Sequence, residues 1–293
     1  MVERIVIWGL KTKRHSHRYI HQSFFDSFRR LGYETVWVDD KAANQKYLEG
    51  SNLVFSVNIA SEHIRWTPKN QYVLHNYDRQ EFIGQVNVLN LQVFTRDSTG
   101  STVDETIAKY DSNTKTLFQP WGISEDVLKW KLPKKNDSNV EYWIGSIWNN
   151  SLNQGNALIL AQYANALQSY GIKLRRVGGT RSVSKGGIDP MKALSLVNRS
   201  PIGSVMVGDW QRENQYVPCR LFKNIASGKV PTSNADFTSV VGEGSYFSPD
   251  VNLVINHVLT LTYETKLELV IEAQKAIQPY TYERGIQRIL EVF

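Results

Sequence analysis

Short apolar runs alternate along this chain with segments whose apolar residues return at helical spacing. That alternation restricts the fold more than any other feature. "RIVIW" (4–8) is followed by a glycine and a polar loop. "YIHQSFFDSFRRLG" (19–32) then places Tyr19, Phe24, Phe25, Phe28 and Leu31 on a helical repeat, with Gly32 as the stop. Four more short runs follow: "ETVWVDD" (34–40), "NLVFSVN" (52–58), "QYVLHNYD" (71–78) and "VNVLNLQVF" (86–94). Strands alternating with helices bury both faces only as a parallel sheet covered by helices. Ligands then bind beyond the carboxyl ends of the strands.

The pattern breaks at "KWKLPKKNDSN" (129–139), which is charged, contains Pro133 and is nearly free of apolar residues, as a linker is. It then restarts with "VEYWIGSIW" (140–148), a strand running into a glycine turn. In "NALILAQYANALQSYG" (156–171) Leu160, Tyr163, Ala164 and Leu167 share a helix face, and Gly171 ends it. "KLRRVGG" (173–179) reads as a strand. "DPMKALSLVNRS" (189–200) reads as a helix capped by Asp189 with Pro190 at its first position. "GSVMVGD" (203–209) is a further strand, and two to three helices fill 250–293. The expected fold class is α/β: two tandem Rossmann-like domains with a cleft between them. The boundaries are 1–128 for the first domain, 129–139 for the linker and 140–278 for the second domain. A C-terminal helix, 279–293, crosses back to the first domain.

The length, 293 residues, suits two domains of about 100–150 residues each. No apolar run reaches the roughly 18 residues of a spanning helix, and "MVERIVIWGL" does not read as a signal peptide. Cys219 is the only cysteine, so no intrachain disulfide forms. These features lead to an expectation of a cytoplasmic protein. The formal charge of +6, with basic clusters in "KTKRHSHR" (11–18) and "KWKLPKK" (129–135), suits an anionic ligand.

The stretch "YVPCRLFKNIASGKVPTSN" (216–234) is the most informative. It follows the expected strand at 203–209, so its helix starts at the carboxyl edge of the second sheet. A helix N-terminus presents unpaired N–H groups and a partial positive charge. Arg220 and Lys223 add cations near that end, which makes a diphosphate site. Asn224, one turn on, is in reach of a ribose hydroxyl. Gly145 and Ser146 form a strand-to-helix turn that can approach phosphates. Trp210 and Gln211 follow a strand, where an aromatic ring and an amide can meet a uracil.

"VPCRLFKNIASGKVPTSN" resembles the helix–SG–strand signature in the second domain of two-domain nucleotide-sugar glycosyltransferases of the GT-B architecture. It is nearest to the CgeB-like and exostosin-like groups, in which a Pro, an Arg and an apolar "F-E-A-M-A-S/C-G" lead into "x-V-P/V". The tail "YTYERGIQRILEVF" (280–293) is similar to the "H-T-Y-x-x-R-x-x-x-I-L" ending of the CgeB-like group. The resemblance covers residues 140–293, and the first domain matches in architecture. Exostosin-like enzymes of large DNA viruses, a xylosyltransferase among them, point to UDP-xylose as donor. The resemblance implies transfer from a UDP-sugar, a substrate rather than a cofactor, to an oligosaccharide or glycoprotein hydroxyl.

Many retaining members carry a Glu and, after seven residues, a second Glu. The matching positions here are Gln215 and Lys223, so the expectation is inversion. An inverting transfer needs a base on the first domain. Candidates at strand ends are His15, His17, Asp39, Asp40, Glu62, His63, Asp78 and Asp97, with Asp78 preferred and His17 second. No D-x-D triplet, zinc spacing or P-loop occurs, "GTRSVSKGG" (179–187) included, so a metal-independent reaction is expected. Two alternatives remain: a sugar-nucleotide epimerase of the same architecture, and a non-catalytic glycan- or nucleic-acid-binding protein. The second lacks a recognisable nucleic-acid module, so nucleic acid is not expected as a partner.

Overall fold

The structure is a computed structural model that describes residues 4–12, 16–57, 62–76, 85, 87–128, 132, 138–177 and 190–293. The chain divides into two compact units, unit 1 of Met1–Ser124 with Tyr280–Phe293, and unit 2 of Glu125–Pro279. The expected linker lies outside the described residues except for Leu132, Ser138 and Asn139. Asp189, His15 and "GTRSVSKGG" (179–187) lie outside them too.

Unit 1 is built on β1 (Arg4–Trp8), α1 (Ser16–Arg30), β2 (Thr35–Val38), β3 (Asn52–Val57), β4 (Gln71–His75), β5 (Val88–Gln92), β6 (Ser101–Thr102), β7 (Lys109–Asp111) and β8 (Thr116–Phe118). They form one eight-stranded sheet in the order β2-β1-β3-β4-β5-β8-β7-β6. Pairing is parallel from β2 to β8 and antiparallel between β8, β7 and β6. The central strands are unbroken apolar runs because both of their faces are covered: Ile5, Val6, Ile7 and Trp8, and Leu53, Val54 and Phe55, are fully buried. The antiparallel extension departs from the all-parallel expectation. Its strand β6 is two exposed polar residues, which leave no apolar signature.

On α1, Phe24 and Phe28 are buried at the repeat the sequence predicts. The C-terminal helix Tyr282–Val292 packs against α1. Glu283, buried, accepts from Ser27 Oγ and Arg30 Nε, each at 2.8 Å. Arg288, buried, donates to Gln119 at 2.8 Å and Asp104 at 2.7 Å. The last turns of the chain are therefore part of unit 1.

Unit 2 begins with a parallel pair, β9 (Val140–Ile144) and β10 (Lys173–Val177), joined by α2 (Ala157–Ser169). It continues through α3 (Pro190–Arg199), α4 (Asp209–Glu213), α5 (Cys219–Ala226), β11 (Thr232–Ser233), α6 (Thr238–Val241), β12 (Tyr246–Phe247), α7 (Val251–Thr260) and α8 (Tyr263–Ala276). Trp143, Leu160, Tyr163, Leu167, Met206 and Val254 share one buried core with α7, and α3 also packs on β9. Strands β11 and β12 form a second, short parallel pair.

The strand expected at 203–209 is not a regular strand. It makes a single bridge, Val205 to Ser233. Side chains take over the hydrogen bonds that a ladder would make. Asn234 donates to Val207 C=O at 2.9 Å and accepts from Val207 N–H at 2.8 Å, and Ser233 Oγ donates to Val205 C=O at 2.6 Å. Gly203, at φ 76°, has no room for a side chain, because a Cβ there would lie 2.3 Å from Lys229 Cγ. Among the described residues no helix is long and apolar enough to cross a membrane.

Candidate functional site

Helix α5 starts where the sequence places it. Pro218 is its N-cap, with extended backbone and no side-chain cap hydrogen bond. Leu221 N–H donates to Pro218 C=O at 3.0 Å, and no side-chain cap takes the N–H groups of Cys219 and Arg220, which are the ones suited to an external acceptor.

Arg220 sits in that first turn, and its guanidinium is held on several sides. Nε donates to Ile144 C=O at 3.2 Å, at the end of β9, and Nη1 to Met206 C=O at 3.2 Å. The carbon Cζ lies 3.5 Å over the centre of the Trp143 ring. Burial pushes the Arg220 pKa down to about 10, so the group stays cationic at neutral pH. It faces no carboxylate within ion-pair distance among the described residues. A desolvated cation braced only by carbonyl oxygens and an aromatic face still carries its charge for an anion.

Gly145 belongs to the same cluster. Its backbone is at φ 140°, and a Cβ built there would lie 3.0 Å from Arg220 Nη2. The glycine leaves room for Nη2, which a side chain at this position would crowd. Ser146 follows, and its C=O accepts from Asn156 Nδ2 at 3.1 Å. The loop between β9 and α2 is tied by its own amides: Asn156 Oδ1 accepts from Trp148 N–H at 2.9 Å, and Asn150 Nδ2 donates to Gln154 at 3.0 Å. Gln154 C=O accepts from Trp210 N–H at 3.2 Å, which ties α4 to this loop. Trp210 is 37% exposed, beside Tyr216 at 5.9 Å between ring centres. Gln211 lies next to it, its C=O accepting from Tyr216 N–H.

Gly145 thus meets Arg220 at the carboxyl end of β9, Ser146 follows it in the chain, and Trp210, with Gln211 next to it, is tied to the loop through Gln154. Lys223 is half-buried on α5. Asn224 is turned inward: it is buried and donates to Gly203 C=O at 2.6 Å. Sequence reasoning missed Trp143 and the two carbonyl anchors. Trp143 had a signal, since it stands two residues before Gly145. The carbonyls of Ile144 and Met206 had none, because a backbone acceptor has no sequence identity.

Behind the cluster lies a buried charge group. Glu141 accepts from Ile202 N–H at 3.1 Å, Gly203 N–H at 2.9 Å and Tyr163 OH at 3.2 Å. Burial pushes its carboxyl up, against the pull of Lys229 and the two N–H donors. Lys229, also buried, donates to Ser200 C=O, and burial lowers its pKa to about 8.

In unit 1, Asp78 lies outside the described residues, and His17 lies on α1 with its side chain undescribed. Asp39 accepts from Thr12 N–H at 2.9 Å and Thr12 Oγ1 at 2.8 Å. Burial pushes its carboxyl up, but the Thr12 bonds outweigh it and hold the group below its usual range. Asp97 is exposed beside Arg96. His75, at the end of β4, is buried against Trp121. Asp40, Glu62 and His63 converge, each with a ligand-type atom within 4.8 Å of the others. Both Asp40 oxygens also accept N–H donors, so the three residues are joined by hydrogen bonds through Asp40. A cavity of about 470 Å³ runs along the edge strand β2, with Phe25, Trp37 and Tyr47 in its wall. It contains none of the residues around Arg220.

No protein-family model matches the chain, and no curated protein matches it in sequence. Solved structures do match in fold. One is an α-glucosyltransferase in complex with UDP, at TM-score 0.64 and 12% identity, covering 99% of both chains. A second is an α-glucosyltransferase with UDP and a 13-mer DNA containing a central A:G mismatch, at TM-score 0.65 and 13% identity, again over 99% of both chains. A third, with UDP and a 13-mer DNA containing a HMU base, gives TM-score 0.59 and 12% identity over 100% of this chain and 99% of that one. At these identities the likeness is one of fold.

Proposed function

We propose that the chain is a glycosyltransferase of the GT-B architecture that takes a UDP-sugar as donor, with the diphosphate held by Arg220 and the first turn of α5. The observation that carries this reading is the Arg220 guanidinium: cationic, desolvated, fixed on two carbonyls and Trp143, and with no carboxylate within ion-pair distance among the described residues. The fold shared with UDP-bound glucosyltransferases supports it. In this reading, charge that develops on the departing nucleotide meets a cation already in place, so no divalent ion is needed. Gln215 and Lys223 offer no carboxylate where retaining enzymes carry their glutamate pair, and inversion is the course we assign.

For the acceptor, the charge of +6 and the DNA bound to two of the structural neighbours favour a hydroxyl on a modified DNA base over the glycan expected from sequence. On β10, Lys173, Arg175 and Arg176 are exposed without an acidic partner among the described residues, which suits a phosphate backbone. The test is a donor–acceptor panel. UDP-glucose and UDP-xylose are each offered with a hydroxymethylpyrimidine 13-mer duplex, an unmodified duplex and a neutral oligosaccharide, in excess EDTA, and UDP release is followed. The expected result is UDP release that depends on the hydroxymethyl duplex. Release only with the oligosaccharide returns the acceptor to a glycan, and no release with any pair rejects transfer. The anomeric configuration of the product, read by NMR, decides between inversion and retention.

A further inference from the structure

We infer that the cavity along the β2 edge of unit 1 takes an unstacked base of a single-stranded nucleic acid. The site lies in unit 1 alone and is independent of the donor site and of the transfer proposed above. Strand β2 ends the sheet order, so only one of its sides is paired. Ile5 N–H donates to Glu34 C=O and Gly9 N–H to Val38 C=O, both on the β1 side. In a parallel ladder alternate residues turn their backbone groups the same way. Thr35 and Trp37 therefore turn their N–H and C=O groups to the open edge. All four residues of β2 line the cavity of about 470 Å³.

Successive side chains of β2 face opposite sides of the sheet, and each side supplies an aromatic wall. On one, Phe25 from α1 stands 5.8 Å from Trp37 between ring centres, and Trp37 Nε1 donates to Gly9 C=O at 2.8 Å, which fixes the indole. On the other, Tyr47 comes from a 3₁₀ turn, Ala42–Leu48, and packs on the cluster that holds Val38 and Leu48. Phe25 and Tyr47 are half-buried, so each ring keeps exposed surface at the cavity. Each also carries a cation. Arg29 Cζ lies 5.5 Å from the centre of the Phe25 ring, and Lys46 Nζ lies 5.3 Å from that of Tyr47. Lys11 is a third cation, in the wall itself. These three residues are exposed, with no carboxylate within ion-pair distance among the described residues. The Asp39 carboxylate, also in the wall, is engaged by Thr12 N–H and Oγ1 at 2.9 and 2.8 Å.

This set of groups selects the occupant. A base offers a flat face to the rings and donors and acceptors to the backbone of Thr35 and Trp37, while its phosphates meet the cations. An extended peptide uses the open edge but not the rings with their cations, and a neutral oligosaccharide has no use for three positive charges. The cations are also spread along the strand. Arg29 is in the last turn of α1, with only 31–34 between that helix and β2. Lys11 precedes Thr12, which is bound to Asp39 just past the other end of β2. The four residues of β2 span about 10 Å at 3.3 Å per residue, so the cations serve successive phosphates of a strand rather than one nucleotide.

The test titrates the full chain against a labelled oligothymidylate by fluorescence anisotropy at several salt concentrations, with no sugar donor present. Tyr47→Leu is expected to weaken binding about 5-fold or more, the loss of one base–aromatic stack, and Tyr47→Phe, which keeps the ring, to stay within about twofold of wild type. Arg29→Gln combined with Lys46→Gln is expected to flatten the slope of log K against log salt by about 1.4, two phosphate contacts at about 0.7 each. That double variant alters exposed residues only, so it reads the site even if Tyr47→Leu unfolds. An oligothymidylate carrying iodouracil is expected to cross-link under ultraviolet light to Phe25, Trp37 or Tyr47, located by mass spectrometry. The inference is overturned if wild type binds no oligothymidylate, or if a neutral oligosaccharide or an acidic peptide binds in its place. It is also overturned if folded Tyr47→Leu binds as wild type does, if the double variant keeps the wild-type salt slope, or if cross-links form only elsewhere in the chain. Because no donor is present, failure here leaves the proposed transfer standing, and a failed transfer leaves this inference standing.

Discussion

Unit 1 and unit 2 are both α/β, yet they hold their strands by different means. Unit 1 runs its parallel ladder without a break from β2 through β8, over strands such as β1 and β4 that are apolar on both faces. In unit 2 the described parallel pairing is split into two short pairs, β9–β10 and β11–β12, and the segment beside them is stitched by Asn234, Ser233 and Glu141. The site around Arg220 sits on this stitched edge. Its carbonyl anchors, Ile144 and Met206, are acceptors at the end of a strand and in a non-ladder segment, where backbone groups are still available to a side chain. The Arg220 guanidinium is thus fixed by backbone carbonyls, with no carboxylate within ion-pair distance among the described residues.

The largest effects test whether polar stitching bears as much stability as apolar packing. Glu141→Ala leaves two buried N–H groups and the Tyr163 hydroxyl without their acceptor and the buried Lys229 ammonium without its neighbouring negative charge, and it is expected to cost about 3–5 kcal/mol. Phe28→Ala, in the core of unit 1, is expected to cost about the same through the cavity it leaves. Urea unfolding of both variants checks the pair. A loss below about 1 kcal/mol for Glu141→Ala breaks the comparison.

The next effect is smaller and depends on pH. Burial lowers the pKa of Lys229 to about 8 from its ordinary 10.5. Between those values the unfolded chain holds a proton that the folded chain has released, so this group makes stability rise with pH. Its contribution is at most about 1.4 kcal/mol per pH unit. The slope of unfolding free energy from pH 8 to 10 is expected to be more positive in wild type than in Lys229→Met. Equal slopes would show that the ammonium stays protonated in the fold.

How far this was legible follows the same division. The periods of β1, α1, α2 and α5 were readable because one rule, burial of an apolar face or run, set each of them. The strand at 203–209 was misread because its apolar residues look like a strand while Gly203 and Asn234 dictate otherwise. Strands β6 and β7 are too polar and too short to stand out. Within the site, Arg220 was legible as a cation at a helix start, and Gly145 as a turn glycine. Their meeting was not, because it joins residues 75 positions apart through φ and carbonyl geometry. The pairing of Asp40 with His63 was likewise invisible, because it joins residues that follow two different strands.

The smallest expected effect probes the aromatic face. Trp143→Leu removes the ring under Arg220 and is expected to weaken UDP binding by about 1 kcal/mol, the scale of a cation–π contact. Trp143→Phe, which keeps a ring, is expected to recover most of that loss. Calorimetry on the two variants separates the ring from the volume it fills. Equal affinities in both would mean that packing alone holds the guanidinium.

The central claim is that Arg220 anchors the donor diphosphate, and titration calorimetry of UDP against wild type and Arg220→Ala tests it most directly. Loss of a charge-assisted contact is expected to weaken binding by about 1.5–3 kcal/mol, roughly 10- to 150-fold. A folded Arg220→Ala variant that binds UDP as tightly as wild type would contradict the account.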